Sequence, residues 1–401
     1  MKWRAMQAAA LAVLAAAQAQ AGTIRVEPGD GAQERLQAAL IDAKPGDTVE
    51  IAAGRYDLTD GLSLDVAGVT VKGAGPAATI LSFKGQKGAG EGLLVTSDDV
   101  VLRDFAVEDS RGDGIKSKGA DRIVYRNVRV EWTGGPKETN GAYGLYPVES
   151  TDVLIDRAVV KGASDAGIYV GQSKNIIVRN STAMYNVAGI EIENSYSADV
   201  HSNLAMHNTG GILVFDLPNL PQQGGHAIRV FSNRVEKNDT PNFAPKGNIV
   251  ASVPTGTGVM VMANRDVHVF GNVIGDNGTT NVMVVAYQSA FTDKKYDPSA
   301  RNIVVRDNQH GRAGWAPAFP GGAELAAALG GAFPSVLWDG VGGAAANVHL
   351  KDPVMTVSLN LPAQGTPITQ AQPAAYAAPA TAPAKDLPTI VMPAAMEAAA
   401  K

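Results

Sequence analysis

Residues 167–188 read GIYVGQSKNIIVRNSTAMYNVA, and the next block, 189–210, reads GIEIENSYSADVHSNLAMHNTG. Each block carries two short β-branched runs, GIYV and IIVRN in the first, separated by small or polar residues. Within GIYV and GIEI the +1 and +3 residues are apolar, so they face one way, and the +2 and +4 residues face the other. Neither block has room for a long helix. Short runs that turn every six to eight residues, in blocks of equal length, read as stacked coils, one block to a coil, rather than as hairpins.

Working outward, the same start recurs at Gly92, Gly114, Gly144, Gly167, Gly189, Gly211 and Gly258, and Asn281 continues it. The intervals are 22, 30, 23, 22, 22, 47 and 23 residues. A coil alone cannot bury its apolar face, but stacking buries it and pairs its backbone with the coils above and below. The expected fold is therefore all-β, a single-stranded parallel β-helix spanning 22–310. A recurrent Asn, at Asn127, Asn180, Asn203, Asn233, Asn272 and Asn308, is expected to form a ladder of side-chain amides between coils, interrupted at Asp104 and Arg157. Ala32–Ala43 (AQERLQAALIDA) is amphipathic and is expected to be a helix that caps the open N-terminal end. Residues 311–361 read as a C-terminal capping segment. Residues 362–401, rich in Ala and Pro, read as a disordered tail.

Lys2 and Arg4, an apolar run from Ala8 to Ala17 and the Ala19-Gln20-Ala21 site form a secretory signal peptide over 1–21. Its apolar core is too short to span a bilayer, and no later segment reads as a membrane span. The expectation is a periplasmic or secreted protein. The full chain of 401 residues has no cysteine, which excludes disulfides, thiolate metal sites and a Cys nucleophile. With 34 Lys and Arg against 39 Asp and Glu, the net charge is -5, and no basic face marks a nucleic-acid partner.

The repeats, with the stretches VFDLPNLPQQGG at 214–225 and NFAPKGNIVASVPTGTGVMVMANRDVHVFGN at 242–272, resemble the right-handed parallel β-helix proteins of the pectin-lyase-like superfold. Within it they resemble an exported bacterial subgroup. The resemblance covers residues 40–310 and implies the right-handed solenoid. It implies no particular reaction: the Asp-Pro-His-Asp motif of the alginate C5-epimerases is absent, and the paired aspartates of polygalacturonases are not evident.

The irregular intervals locate a candidate site. Insertions within 133–142 and 240–257 both precede a coil start, so both leave from the same turn and stand as walls around the coils at 144, 167, 189 and 211. A third insertion, 216–225, leaves the opposite end of the strand. The outward +2 column between the walls reads Lys116, Tyr146, Tyr169, Glu191, and the +4 column includes Lys118 and Glu193. Tyr185 and His207, and Asn186 and Asn208, fall in the turn. From this set, His207, Glu191, Tyr185 and Tyr169 are candidate catalytic residues. Tyr146, Glu193, Asn208, Asp216, Lys116 and Lys118 are candidate substrate contacts. A tyrosine pair offers stacking faces to a sugar, and a His or carboxyl moves protons. The bland alternatives are an aromatic ladder for the tyrosines, solvated surface charges for Glu191 and Glu193, and a structural corner for His207. Asp98, Asp99, Asp109 and Asp113 could contribute to a Ca²⁺ site, without EF-hand spacing. The outward Met260, Met262 and Met283 need cover, from 240–257 or the C-terminal segment, or else form a thioether metal set.

The expected function is binding or processing of a polysaccharide, as a lyase or C5-epimerase on uronates if catalytic. The alternatives are a glycoside hydrolase using Glu191, Glu193 or Asp216, and a non-catalytic periplasmic scaffold or metalloenzyme accessory protein with a partner on its apolar C-terminal coils.

Overall fold

A computed structural model describes residues 21–88 and 90–401. Apart from Ala21, the segment read as a signal peptide lies outside the described residues. Three sheets of 12, 12 and 10 strands, parallel except where Ala374–Ala375 pairs antiparallel with Thr356–Ser358, stack along the described chain. Each coil contributes a strand to sheet C (Ala166–Gly171 in one coil), then to sheet A (Lys174–Arg179), then to sheet B (Thr182–Met184), and the next coil repeats the order one step along the axis. The register is the one the alternation predicts. On sheet C, Ile168 pairs with Ile190, Ile190 with Ile212, and Ile212 with Val259. These side chains, with Val170, Ile192 and Val214, point into the coil and are fully buried. Every coil therefore adds several β-branched side chains to one continuous core, each stabilising by about 1.5–3 kcal/mol on burial.

The corners explain the Asn pattern and correct it by one residue. At the turn from sheet A to sheet B, Asp104, Asn127, Arg157, Asn180, Ser202 and Ser232 all adopt positive φ, from 51° to 61°. The ladder occupies the position after this one. Asn203 Nδ2 donates to Asn233 Oδ1 (3.0 Å), Asn233 to Asn272 (3.0 Å), and Asn272 to Asn308 (2.9 Å). Asn127 and Asn180 are thus turn residues in the left-handed conformation that Asn tolerates, and Asp104 and Arg157 interrupt nothing. A second ladder at the turn from sheet B to sheet C joins Asn186, Asn208, Asn238 and Asn277 by bonds of 3.0, 3.1 and 3.1 Å.

Helix Ala32–Asp42 buries Leu36 and Leu40 against the first strands and closes the N-terminal end. At the other end the solenoid outlasts residue 310. Val336–Trp338 and Thr356–Ser358 extend sheet C, and His349–Leu350 extends sheet A. The residues after 361, expected to be disordered, are instead laid over the solenoid. Residues 365–368 cover sheet C beside Leu359 and Leu361, and Met392, Met396 and Ala400 pack on sheet A against Val124, Leu154 and Ile177. Of these three, Met396 lies in the short helix Ala394–Ala399, while Met392 precedes it and Ala400 caps it.

Candidate active site

Sheet C presents its outward column to two different environments. From Ser63 through Leu94 and Lys116 to Tyr146 the column is paired strand by strand and is open to solvent to varying degrees. From Tyr169 onward it is covered. Residues 240–257 fold back over the sheet with Val250 and Val253 buried, and Phe333, Leu359 and Leu361 cover the later coils. Met260, Met262 and Met283 lie in this second apolar cluster with Leu213 and Phe215, so they are core rather than a thioether metal set. The apolar C-terminal coils are likewise taken by the chain itself, which removes them as a partner surface. An apolar cavity of about 370 Å³ under residues 365–368 reaches Asp339, but backbone N–H groups of Ala286 and Val341 already hold that carboxyl.

The cover changes the character of the acids. Glu191 and Glu193 point out of the coil, as the alternation requires, yet they are only 1% and 6% exposed. They are not solvated surface charges. Glu193 Oε1 accepts the Tyr169 hydroxyl at 2.6 Å. Neither carboxyl oxygen of Glu191 has a hydrogen-bond partner. Burial pushes Glu193 up to about 7 against the Tyr169 hydrogen bond, and pushes Glu191 well above the carboxylate range, with Asp165 and Glu193 adding to the effect. Two buried carboxyls side by side cannot both ionise cheaply.

Asp165 and Tyr143 complete the cluster, and sequence reasoning missed both as site residues. Asp165 Oδ2 receives Asn248 Nδ2 from the 240–257 wall at 3.2 Å and the Tyr143 hydroxyl at the long limit of 3.5 Å. Burial pushes Asp165 up to about 7, opposed by those two bonds and aided by Asp113. The Tyr143 N–H donates to Asp113 Oδ1 at 3.2 Å, so one tyrosine touches both aspartates. Asp113 is pushed to about 6 by burial, opposed by Lys116. Tyr143 packs between Tyr146 and Tyr169, with ring centroids 4.5 and 4.6 Å away, and Tyr146 meets Tyr169 edge-on at 5.0 Å. Burial holds all three phenols above their ordinary value, Tyr146 at about 12. A signal for Asp165 was available: two residues before each coil start the column reads Gly90, Gly112, Ala142, Asp165, Val187, Thr209, with one acid among small or apolar residues.

Other candidates fall elsewhere. His207 and Tyr185 are corner residues with φ of 53° and 61°. Their rings stack on each other at 5.2 Å, and His207 Nδ1 lies 2.9 Å from Asp239 Oδ1. These partners, and not Glu191, are the contacts of His207, so it does not join the acid cluster. Asn208 is a rung of the second ladder with its amide fully committed. Asp216 accepts the N–H groups of Gly224 and Gly225 at 3.1 and 2.7 Å and braces the 216–225 loop, so it is a structural acid. Lys116 lies 3.2 Å from Glu91, 3.8 Å from Asp113 and 4.8 Å from the Tyr146 ring centroid. Lys118 pairs at the surface with Glu149. The four aspartates weighed for Ca²⁺ do not converge. Asp98 and Asp99 pair with Arg122, Asp109 accepts from Thr133, and Asp113 serves the cluster. Among the described residues no group of three or more His, Cys, Asp or Glu is arranged to hold a metal ion.

The model of the family described as "Right handed beta helix region" matches residues 67–223. Comparison with curated protein sequences finds no match. Among solved structures, a mannuronan C-5 epimerase A-module from Azotobacter vinelandii is 18% identical over 78% of each chain, with a TM-score of 0.52. An alginate lyase from Paenibacillus sp. is 16% identical over 73% of this chain and 97% of its own, with a TM-score of 0.45. Endopolygalacturonase I from Stereum purpureum is 13% identical over 72% and 96%, at 0.44. The fold is the right-handed parallel β-helix of the pectin-lyase-like type.

Proposed function

We propose that this chain binds and cleaves a polysaccharide on sheet C where its open half meets the 240–257 cover, with Asp165, at the edge of that cover, and Asp113 as the acid–base pair. The observation that carries the reading is the Tyr143 bridge between two aspartates of unequal acidity, about 7 for Asp165 and about 6 for Asp113. Burial raises both carboxyls toward neutrality, so that one can hold a proton for a leaving oxygen while the other takes one from water, which is the division of labour that glycosidic cleavage needs. The Asp165 carboxyl donates its proton to the leaving glycosidic oxygen, and the Asp113 carboxylate takes a proton from the attacking water. The glycan strand lies over Leu94, Lys116 and Tyr146, beside a polar cavity of about 220 Å³ lined by Ser63, Gln86 and Glu91. Tyr146 supplies the stacking face. The epimerase A-module named above, which shares this fold, is named for a polysaccharide substrate.

A uronate lyase or epimerase is the second reading, because Lys116 beside Tyr146 pairs a cation with a phenol. It is less favoured: Lys116 is already matched by Glu91 and Asp113, and Tyr146, at about 12, is a poor base at neutral pH. The test is a panel of neutral and uronate glycans with product analysis. The hydrolytic reading expects new reducing ends without unsaturation, at least 100-fold loss in Asp165→Asn and Asp113→Asn, and retained binding in both. Unsaturated products that depend on Lys116 would select the second reading, and the absence of any glycan binding would sink both. Export fits such a substrate. Residues 1–21 are proposed to be removed on the way out, so N-terminal sequencing of the periplasmic or secreted protein is expected to begin at Gly22.

A further inference from the structure

Residues 386–401, DLPTIVMPAAMEAAAK, lie across sheet A, a different sheet from the one that carries the acid cluster. They run against the direction of coil growth. Asp386 meets Arg306 at 3.1 Å, and the Ile390 N–H donates to Asp199 at 3.2 Å. Met392, Met396 and Ala400 then cover Val124, Leu154 and Ile177. Glu397 makes a two-bond pair with Arg179, at 3.0 and 2.8 Å. The Ala399 and Ala400 carbonyls accept from Arg103 and Arg126, at 3.1 and 2.7 Å.

Two features separate this segment from an ordinary terminal strand. It adds no strand to the sheet edges and instead sits on a finished face, so the solenoid's backbone pairing does not need it. It is joined to the rest by residues 377–385, AAPATAPAK, which form no helix or strand and carry one side-chain anchor, Thr381 to Asn347. A contact surface complete in itself, on a Pro-containing spacer, is related to its groove as a ligand is to a receptor held at high effective concentration. The match is chemical as well as steric. An acid at each end of the segment meets an arginine, and two methionines between them meet the apolar strip.

We propose that residues 386–401 are a detachable latch, and that the strip of sheet A beneath them is a peptide-binding surface filled in trans by the same segment of a second copy of this chain. Segment exchange through a flexible connection is a low-cost route to association, because the segment re-forms between two copies the same interactions it makes within one. The charge pattern sets the direction of the incoming segment, since reversing it would leave Arg179 facing no carboxylate and Asp386 over the apolar strip.

The test uses the full chain with a protease site built into 377–384 and a fluorescent synthetic peptide of residues 386–401. Cleavage abolishes the tethered competitor, so the peptide is expected to bind the cleaved chain at least tenfold more tightly than the uncleaved one. Arg179→Glu in the chain and Met396→Asp in the peptide are each expected to weaken that binding at least tenfold. Two uncleaved populations, labelled at an introduced Ala382→Cys, are expected to exchange segments at high concentration; the natural chain has no cysteine to interfere. The proposal is overturned if the peptide fails to enter a cleaved chain that keeps its strand signal. Loss of that signal when the segment departs would equally overturn it, by making the segment part of the folded core. Entry of the peptide without exchange between copies would overturn the second copy as occupant and point to another protein bearing such a segment.

Discussion

Glu193 and Ile190 stand on neighbouring coil positions and differ in what burial does to them. Ile190 belongs to the interior stack, so Ile190→Ala is expected to cost about 2–5 kcal/mol through the cavity it leaves, measured by denaturant unfolding. Glu193 is buried by a cover that comes from elsewhere in the chain. Its carboxyl is raised from 4.5 to about 7, and Asp165 from 3.8 to about 7. The folded state therefore holds these protons more tightly than the unfolded state. The stability they contribute is full below the unfolded values near 4 and is lost as pH rises through about 7. Thermal midpoints are expected to fall between pH 4.5 and 7.5 in the natural chain. Glu193→Gln, which keeps the acceptor for Tyr169 and cannot ionise, is expected to flatten that fall. An unchanged slope would mean that water reaches the carboxyl. The alternation of GIEI told which way Glu193 points; it held no information about the cover, which originates about fifty or more residues downstream.

At the scale of the element, a coil is defined by its corners as much as by its strands. Asn233 is a ladder rung: its amide donates to Asn272 and to the Val200 carbonyl, and its carbonyl oxygen accepts from Asn203. Asn233→Ala orphans several buried groups, each costing about 1–3 kcal/mol. Asn180 is an exposed turn residue with φ of 52° whose one side-chain bond goes to Asp156 Oδ1 at 3.0 Å, and Asn180→Gly is expected to cost only about 1 kcal/mol, for that bond, because Gly adopts the conformation freely. Equal losses in the two variants would refute the one-residue distinction between turn and ladder. Spacing alone does not make that distinction, since Asn occurs at both positions in adjacent coils and both keep the same period. The coil itself, its register and the turn that sends out the two insertions were legible, because they follow from periods of 2 and about 22 residues. Asp165 and Tyr143 were not singled out, because they sit just before a strand and at the first residue of one, where small residues dominate and one acid breaks no period.

At the scale of the whole molecule, the solenoid offers a long sheet C and the rest of the chain decides which half of it meets solvent. The 240–257 wall does two things at once: it buries Val250 and Val253 over the sheet, and through Asn248 it reaches Asp165. No periodicity in that segment announces either role, which is why the sequence led to a wall beside an open groove rather than a lid over half of it. If the wall is what raises the acids, replacing residues 243–252 with a flexible Gly-Ser stretch admits water to Glu191, Glu193 and Asp165. Their pKa values are then expected to drop toward the ordinary carboxylate range, since desolvation is the largest cause of each shift. Two readouts follow. The fall in thermal midpoint between pH 4.5 and 7.5 is expected to shrink, as in Glu193→Gln. The rate of any glycan cleavage is expected to lose its activity near neutral pH first, because an ordinary aspartate no longer carries the proton there. Exposure of Leu213 and Met260 is also expected to raise binding of an apolar fluorescent dye. Dye binding with an unaltered pH slope would separate the two roles of the wall and assign the raised carboxyl pKa values to the tyrosine cluster alone.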